Sequence, residues 1–205
     1  MSPEKTVRVA SDRRWLTEYF ERYRTSIVQG EILAQLSTLK TWLLDTQAQG
    51  RKVIFAGNGG SAAMASHCAV DFTKNAKIRC VNFNEADLIT CFANDFGYEW
   101  WVQKALEYYA DAGDLIVLIS SSGTSPNLLN AARYAVEQGL RLATFTGCAP
   151  DNPLRRLGTL NLWVDSRAYN VIEMTHHIWL LAVCDLIIGN AEYPARQEAV
   201  NALNR

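Results

Sequence analysis

Two hydroxyl-rich turns and two histidine–carboxylate pairs are the residues of this chain whose types and spacing can do chemistry. The first turn, Gly57-Asn58-Gly59-Gly60-Ser61, follows the apolar run Val53–Ala56. The second, Ser120-Ser121-Ser122-Gly123-Thr124-Ser125, follows Leu115–Ile119 and precedes Pro126. Where a strand breaks into such a turn and restarts as a helix, hydroxyls and free backbone amides converge at the positive end of the helix dipole, which suits a phosphate. Proline at the first helical position is pre-set for that restart. The same residue types also build ordinary βα turns and caps; two such turns at corresponding places shift the balance toward phosphate or sugar binding. No lysine stands in the second turn and neither turn has the GxGxxG spacing, so neither a nucleotide P-loop nor a dinucleotide fingerprint is present, and no nucleotide cofactor is expected.

His67 and Asp71 are spaced i, i+4, as are Glu173 and His177, with His176 alongside; these are all three histidines of the chain. Residues four apart share one helix face, a geometry that fits a metal pair or a base with its orienting partner. Set among Cys68, Ala69 and Val70, His67 by itself also reads as a core histidine. Asn94-Asp95-Phe96-Gly97 forms a further polar break, readable as a helix end, ahead of Tyr98, Trp100 and Trp101.

These groups need a framework. Residues 1–10 read as a loose tail and Ser11 as an N-cap. Trp15, Tyr19, Phe20, Tyr23 and Ile27 then recur at helical spacing, and Ile32, Leu36, Leu39 and Leu43 mark a second helix closed by Gly50. From Arg51 the pattern alternates: strands at Val53–Ala56, Arg79–Phe83, Leu115–Ile119, Leu142–Phe145 and Leu160–Val164, with helices between most of them and a long last helix from Tyr169 to Ile188. Apolar strands separated by helices predict a parallel five-stranded sheet covered on both faces, with both turns at the carboxyl edge where α/β proteins bind ligands. The expected organisation is a helical segment over 1–50 serving packing or oligomerisation, one α/β domain over 51–190, and a tail over 191–205.

A net charge of -1, from 20 basic and 21 acidic residues, gives no field for nucleic acid or anionic lipid. The first thirty residues lack the apolar core of a signal peptide, and the apolar stretch Ile178–Cys184 is too short to span a membrane. Five scattered cysteines without a CxxC pair read as reduced thiols of a cytoplasmic protein.

GNGGS after a strand, the ANDFGYE segment and ISSSGTSPN after another strand together resemble the SIS (sugar isomerase) domain, and within it the phosphoheptose isomerase group, over roughly residues 31–188. The resemblance implies a flavodoxin-like three-layer α/β/α sandwich, a homotetramer with shared active sites, and aldose–ketose isomerisation of a phosphorylated sugar such as sedoheptulose 7-phosphate. Carried over by position, it assigns Asn58, Gly59, Ser61 and Asp95 to the substrate and Ser120, Ser121, Ser122 and Ser125 to its phosphate. It places His67 at a zinc ligand and Asp71 at a catalytic, metal-binding glutamate. The family's last helix reads Ile-Gln-Glu-x-His with a second, catalytic histidine five residues on; here Glu173 stands at the glutamine and Leu181 at that second histidine. His177, one turn before Leu181 on the same side, is the expected substitute. Zinc is then expected on His67, Asp71, Glu173 and His177, with Asp71 as base and His177 as acid. Leucine can neither ligate nor move a proton, so a sugar-phosphate-binding or interaction module without turnover stands as the alternative.

Overall fold

A computed structural model describes residues 3–192. In chain order the elements are α1 (Pro3–Ile27), α2 (Ile32–Ala48), β1 (Val53–Gly57), α3 (Gly60–Lys74), β2 (Cys80–Asn82), α4 (Ala86–Phe96), α5 (Trp101–Tyr109), β3 (Leu115–Ser120), α6 (Pro126–Glu137), β4 (Arg141–Thr146), α7 (Pro153–Leu157), β5 (Leu160–Trp163) and α8 (Tyr169–Ile188). The five strands form one parallel sheet in the order β2-β1-β3-β4-β5.

Every residue of β1 and β3 is buried, which is what two covered faces require. Alternate strand residues feed two cores. Val53, Phe55, Leu115, Val117 and Phe145 meet α2, α3 and α8 on one side, where Phe55 stacks on Phe72. Ile54, Ala56, Ile116, Leu118 and Leu142 meet α5, α6 and α7 on the other. The result is the three-layer sandwich with the 2-1-3-4-5 strand order of flavodoxin-like folds. β1 and β3 are register neighbours whose chains leave in opposite directions, and the crevice between their carboxyl ends is where such folds bind ligands.

Helix α1 lies outside this sandwich, against α8: the Trp179 indole donates to the Ile27 carbonyl at 2.8 Å and the Tyr23 hydroxyl to the Asn170 carbonyl at 3.3 Å. Gln29 seals the open edge of the sheet, its side-chain amide donating to the Trp163 carbonyl at 2.8 Å. At the amino edge, below the crevice, the Lys52 ammonium pairs with fully buried Asp114 at 2.6 Å and with Asp111 at 2.7 Å.

Several expectations change. Helix α1 starts at Pro3, so residues 3–10 are helical rather than a tail and Ser11 is an interior residue, not an N-cap. The reason is local: proline at a helix start followed by glutamate, lysine, arginine and alanine is good helix-forming sequence. Asn94 and Asp95 lie inside the last turn of α4, and only Gly97, at φ 92°, makes the break. The second strand shrinks to Cys80–Asn82, a half-exposed edge with one neighbour. Helix α8 is long and apolar enough over its full length to meet the criteria for a membrane span. Its apolar residues include Ile172, Trp179, Leu180 and Val183, which are buried in the core beside the sheet, as in the core helix of a globular domain. The tail expected over 191–205 lies, from residue 193, outside the described residues.

Candidate functional site

The cleft between the carboxyl ends of β1 and β3 has a volume of about 180 Å³ and is lined by Asn58 and Ser61 from the first turn, Ser120, Ser121, Ser122 and Ser125 from the second, Ile119 and Leu128, and Tyr169 and Glu173 from α8. Both flanking helices start here without a side-chain cap: Gly59 precedes α3, and Ser125 precedes α6 with its hydroxyl unused on its own helix. Two uncapped helix starts present free amides and two positive dipole ends to one space.

Hydroxyl geometry reinforces this. Ser120 Oγ lies 3.4 Å from Ser125 Oγ and accepts from the Gly123 amide at 3.2 Å, while Ser122 Oγ accepts from the Thr124 amide at 3.3 Å. Gly123, at φ 66°, allows this fold-back, and a Cβ there would also overlap the Asn152 side chain. The Ser121 hydroxyl is buried and has no hydrogen-bond partner, an arrangement that costs about 1–3 kcal/mol unless a ligand supplies one. Among the described residues lining the cleft there is no lysine or arginine and one carboxylate, Glu173, so what can attract an anion there is the helix dipoles and hydroxyls.

Asn58 is held by a network the sequence did not disclose. It exchanges amide hydrogen bonds with buried Asn127, donating at 3.0 Å and accepting at 2.8 Å, and its Oδ1 also accepts from the Tyr98 hydroxyl at 3.1 Å. The ANDFGYE segment therefore reaches the cleft through Tyr98. Asp95 is exposed, bonded locally to Asn94 at 2.9 Å, and does not line the cleft. Asn127, one residue past Pro126, could have been noticed as an amide in the first turn of α6; Tyr98 stands in the ANDFGYE segment, but nothing in the sequence pointed to its contact with Asn58.

Glu173 faces the start of α3. A Cβ on Gly60 would stand 2.8 Å from its Cδ and 2.9 Å from its Oε1, so the carboxylate lies directly against the start of α3 and would have to swing aside for any larger residue there. One turn further along α8, and two turns further along α3, a separate cluster forms. His177 Nε2 is 2.8 Å from His67 Nδ1, and His67 Nε2 is 3.3 Å from Asp71 Oδ2. Burial and the neighbouring His67 hold the His177 imidazole below the ordinary histidine value, against a smaller opposing pull from Asp71. His176 points the other way: fully buried, it bonds Thr146 O at 2.9 Å, and burial lowers it from 6.5 to about 4. Leu181 is half-buried on the His177 face.

The structure thus splits the set expected to hold zinc. His67, Asp71 and His177 form a line in which His67 spends one ring nitrogen on each partner, and Glu173 sits with the serine turn. Among the described residues no three His, Cys, Asp or Glu side chains are placed to hold a metal ion. A tetrahedral zinc site needs ligand atoms converging on one point, so this arrangement of donors does not fit one. All five cysteines are free thiols.

Residues 18–147 match the SIS domain family model. The chain is 34% identical over 126 residues to the phosphoheptose isomerase of Fusobacterium nucleatum, an alignment spanning 59% of this chain and 65% of that protein. It is 31% identical over 166 residues to the phosphoheptose isomerase of Geobacter sulfurreducens, spanning 78% and 87%. Among solved structures, the phosphoheptose isomerase of Neisseria gonorrhoeae superposes with a TM-score of 0.75 at 25% identity, covering 89% of this chain and 98% of that one. That of Francisella tularensis shares the fold, with a TM-score of 0.73 at 19% identity, covering 91% and 98%. The chain belongs to the SIS (sugar isomerase) domain family, in its phosphoheptose isomerase-like group.

Proposed function

We propose that this protein is a sugar-phosphate isomerase that interconverts a ketoheptose 7-phosphate such as sedoheptulose 7-phosphate with the corresponding aldoheptose 7-phosphate. The observation that carries the reading is the buried, unpartnered Ser121 hydroxyl in a cleft where α3 and α6 both start uncapped. A phosphate bound there takes hydrogen bonds from Ser120, Ser121, Ser122 and Ser125 and from the helix amides. The relatives, phosphoheptose isomerases, support a phosphorylated heptose as the sugar.

Anchoring the phosphate fixes the far end of an open-chain sugar and turns an encounter into a positioned, effectively unimolecular step. Asn58, clamped by Asn127 and Tyr98, and Ser61 then orient sugar hydroxyls. His177 is our candidate for exchanging protons with the sugar oxygens, its hold on a proton weakened by burial and by His67. Asp71 acts through His67 as a positioning residue. The reading also carries a homotetramer, assembled through the exposed aromatic face of α1, and a cytoplasmic setting.

Leu181 favours a second reading, a sugar-phosphate-binding module without turnover, because an apolar side chain stands where the family resemblance places a catalytic histidine. Incubation of the purified protein with sedoheptulose 7-phosphate separates the two. Aldoheptose 7-phosphate formation supports the isomerase, and a ligand-induced rise in melting temperature without product supports the module.

A further inference from the structure

We propose that Glu173 is the general base of the isomerisation, the carboxylate that takes the proton from the carbon beside the carbonyl. This rests on the isomerase reading above and moves the role from Asp71 on α3 to α8. Three observations carry it. Among the described residues lining the phosphate cleft, Glu173 is the one carboxylate; Asp71 and His177 do not line it. Glu173 makes no hydrogen bond or ion pair with any described side chain, whereas Asp71 is committed to His67 at 3.3 Å. The Glu173 carboxylate lies against Gly60 at the start of α3, a favourable seat for a negative group.

The step balances without an outside oxidant. Glu173 takes the C1 proton of the open-chain ketose, the C1–H electron pair becomes the C1=C2 bond, and the C2 carbonyl oxygen takes a proton from His177 or water. The glutamic acid returns its proton to C2 while the C1 hydroxyl gives its proton back and becomes the aldehyde. Two hydrogens change position and nothing else is consumed.

Glu173→Gln keeps shape and hydrogen bonding but cannot accept a proton. Its kcat for sedoheptulose 7-phosphate is expected to fall roughly 10²–10⁴-fold, with KM within about threefold and the sugar-phosphate-induced melting shift retained. Glu173→Asp, which keeps the charge, is expected to turn over at least about tenfold faster than Glu173→Gln, and Asp71→Asn to lose less than about tenfold. Equal turnover in Glu173→Gln and Glu173→Asp, or a loss in Asp71→Asn as large as in Glu173→Gln, overturns the assignment alone. A wild-type protein that binds the sugar phosphate without converting it overturns the isomerase reading and the assignment together.

Discussion

His177 Nε2 stands 2.8 Å from His67 Nδ1, and this contact decides how the second half of the site is read. A histidine has two ring nitrogens, and His67 has given one to His177 and turned the other toward Asp71. Residues that suggested a metal cluster thus form a line from Asp71 through His67 to His177, and Glu173, one turn earlier on α8, lines the cleft instead.

The Ser121 hydroxyl gives a test in which stability and binding separate. Ser121→Ala removes a buried hydroxyl with no protein partner, so the melting temperature of the free protein should hold or rise slightly. The stabilisation conferred by a sugar phosphate should shrink, with affinity falling by about tenfold for one lost hydrogen bond of ~1.5 kcal/mol. Thermal melts with and without ligand read both effects. A destabilised free protein with unchanged affinity would show that Ser121 is structural.

His176 makes the fold acid-sensitive. Its folded-state value, about 4, lies below the 6.5 of the unfolded chain. Above about 6.5 both states are neutral and nothing is lost. As pH falls toward 4 the unfolded chain binds a proton that the folded one refuses, and stability drops by about 3 kcal/mol in total. Urea denaturation at steps between pH 7 and 4 should show this loss, and His176→Gln should flatten it. An unchanged slope in that variant would place the acid sensitivity elsewhere.

The Lys52–Asp114 pair lies at the amino edge of the sheet, opposite the cleft. Lys52→Met leaves the buried Asp114 carboxylate without its cation and should cost about 3 kcal/mol in chemical denaturation, with kcat and KM unaffected in the folded fraction. A cost below about 1 kcal/mol would mean that the backbone amides of Lys52 and Asp111, at 3.0 and 2.8 Å, satisfy Asp114 by themselves.

Helix α1 exposes Trp15, Leu16 and Phe20, with Trp15 stacked on Tyr19 at 5.1 Å between ring centroids. If this face joins subunits, Trp15→Glu with Phe20→Glu should shift sedimentation to a smaller species while the circular dichroism of the fold persists. An unchanged sedimentation coefficient would remove α1 from the interface.

Much of this was legible in the sequence. The strand positions, the two turns and the limits of α8 follow from apolar runs, hydroxyl clusters and glycines, because local periodicity and turn chemistry depend on neighbours along the chain. What escaped was depth between helices. The i, i+4 spacing put Glu173 and His177 on one face of α8. It could not tell that α3 meets that face with Gly60 at one level and His67 at the next, so that the two acidic and imidazole groups serve different spaces. Tyr98 escaped for the same reason: its contact with Asn58 joins residues forty apart, and no local pattern encodes it. The start of α1 escaped because a charged, weakly apolar stretch resembles a tail until Pro3 is seen as a helix opener.

The most direct measurement is carbon NMR of sedoheptulose 7-phosphate labelled with ¹³C at C1, incubated with the purified protein. The account predicts that the hydroxymethyl signal of the ketose gives way to the aldehyde-derived signal of the aldose, and that Glu173→Gln slows this by at least about a hundredfold. A label that stays in the hydroxymethyl carbon while the sugar phosphate still raises the melting temperature would contradict it.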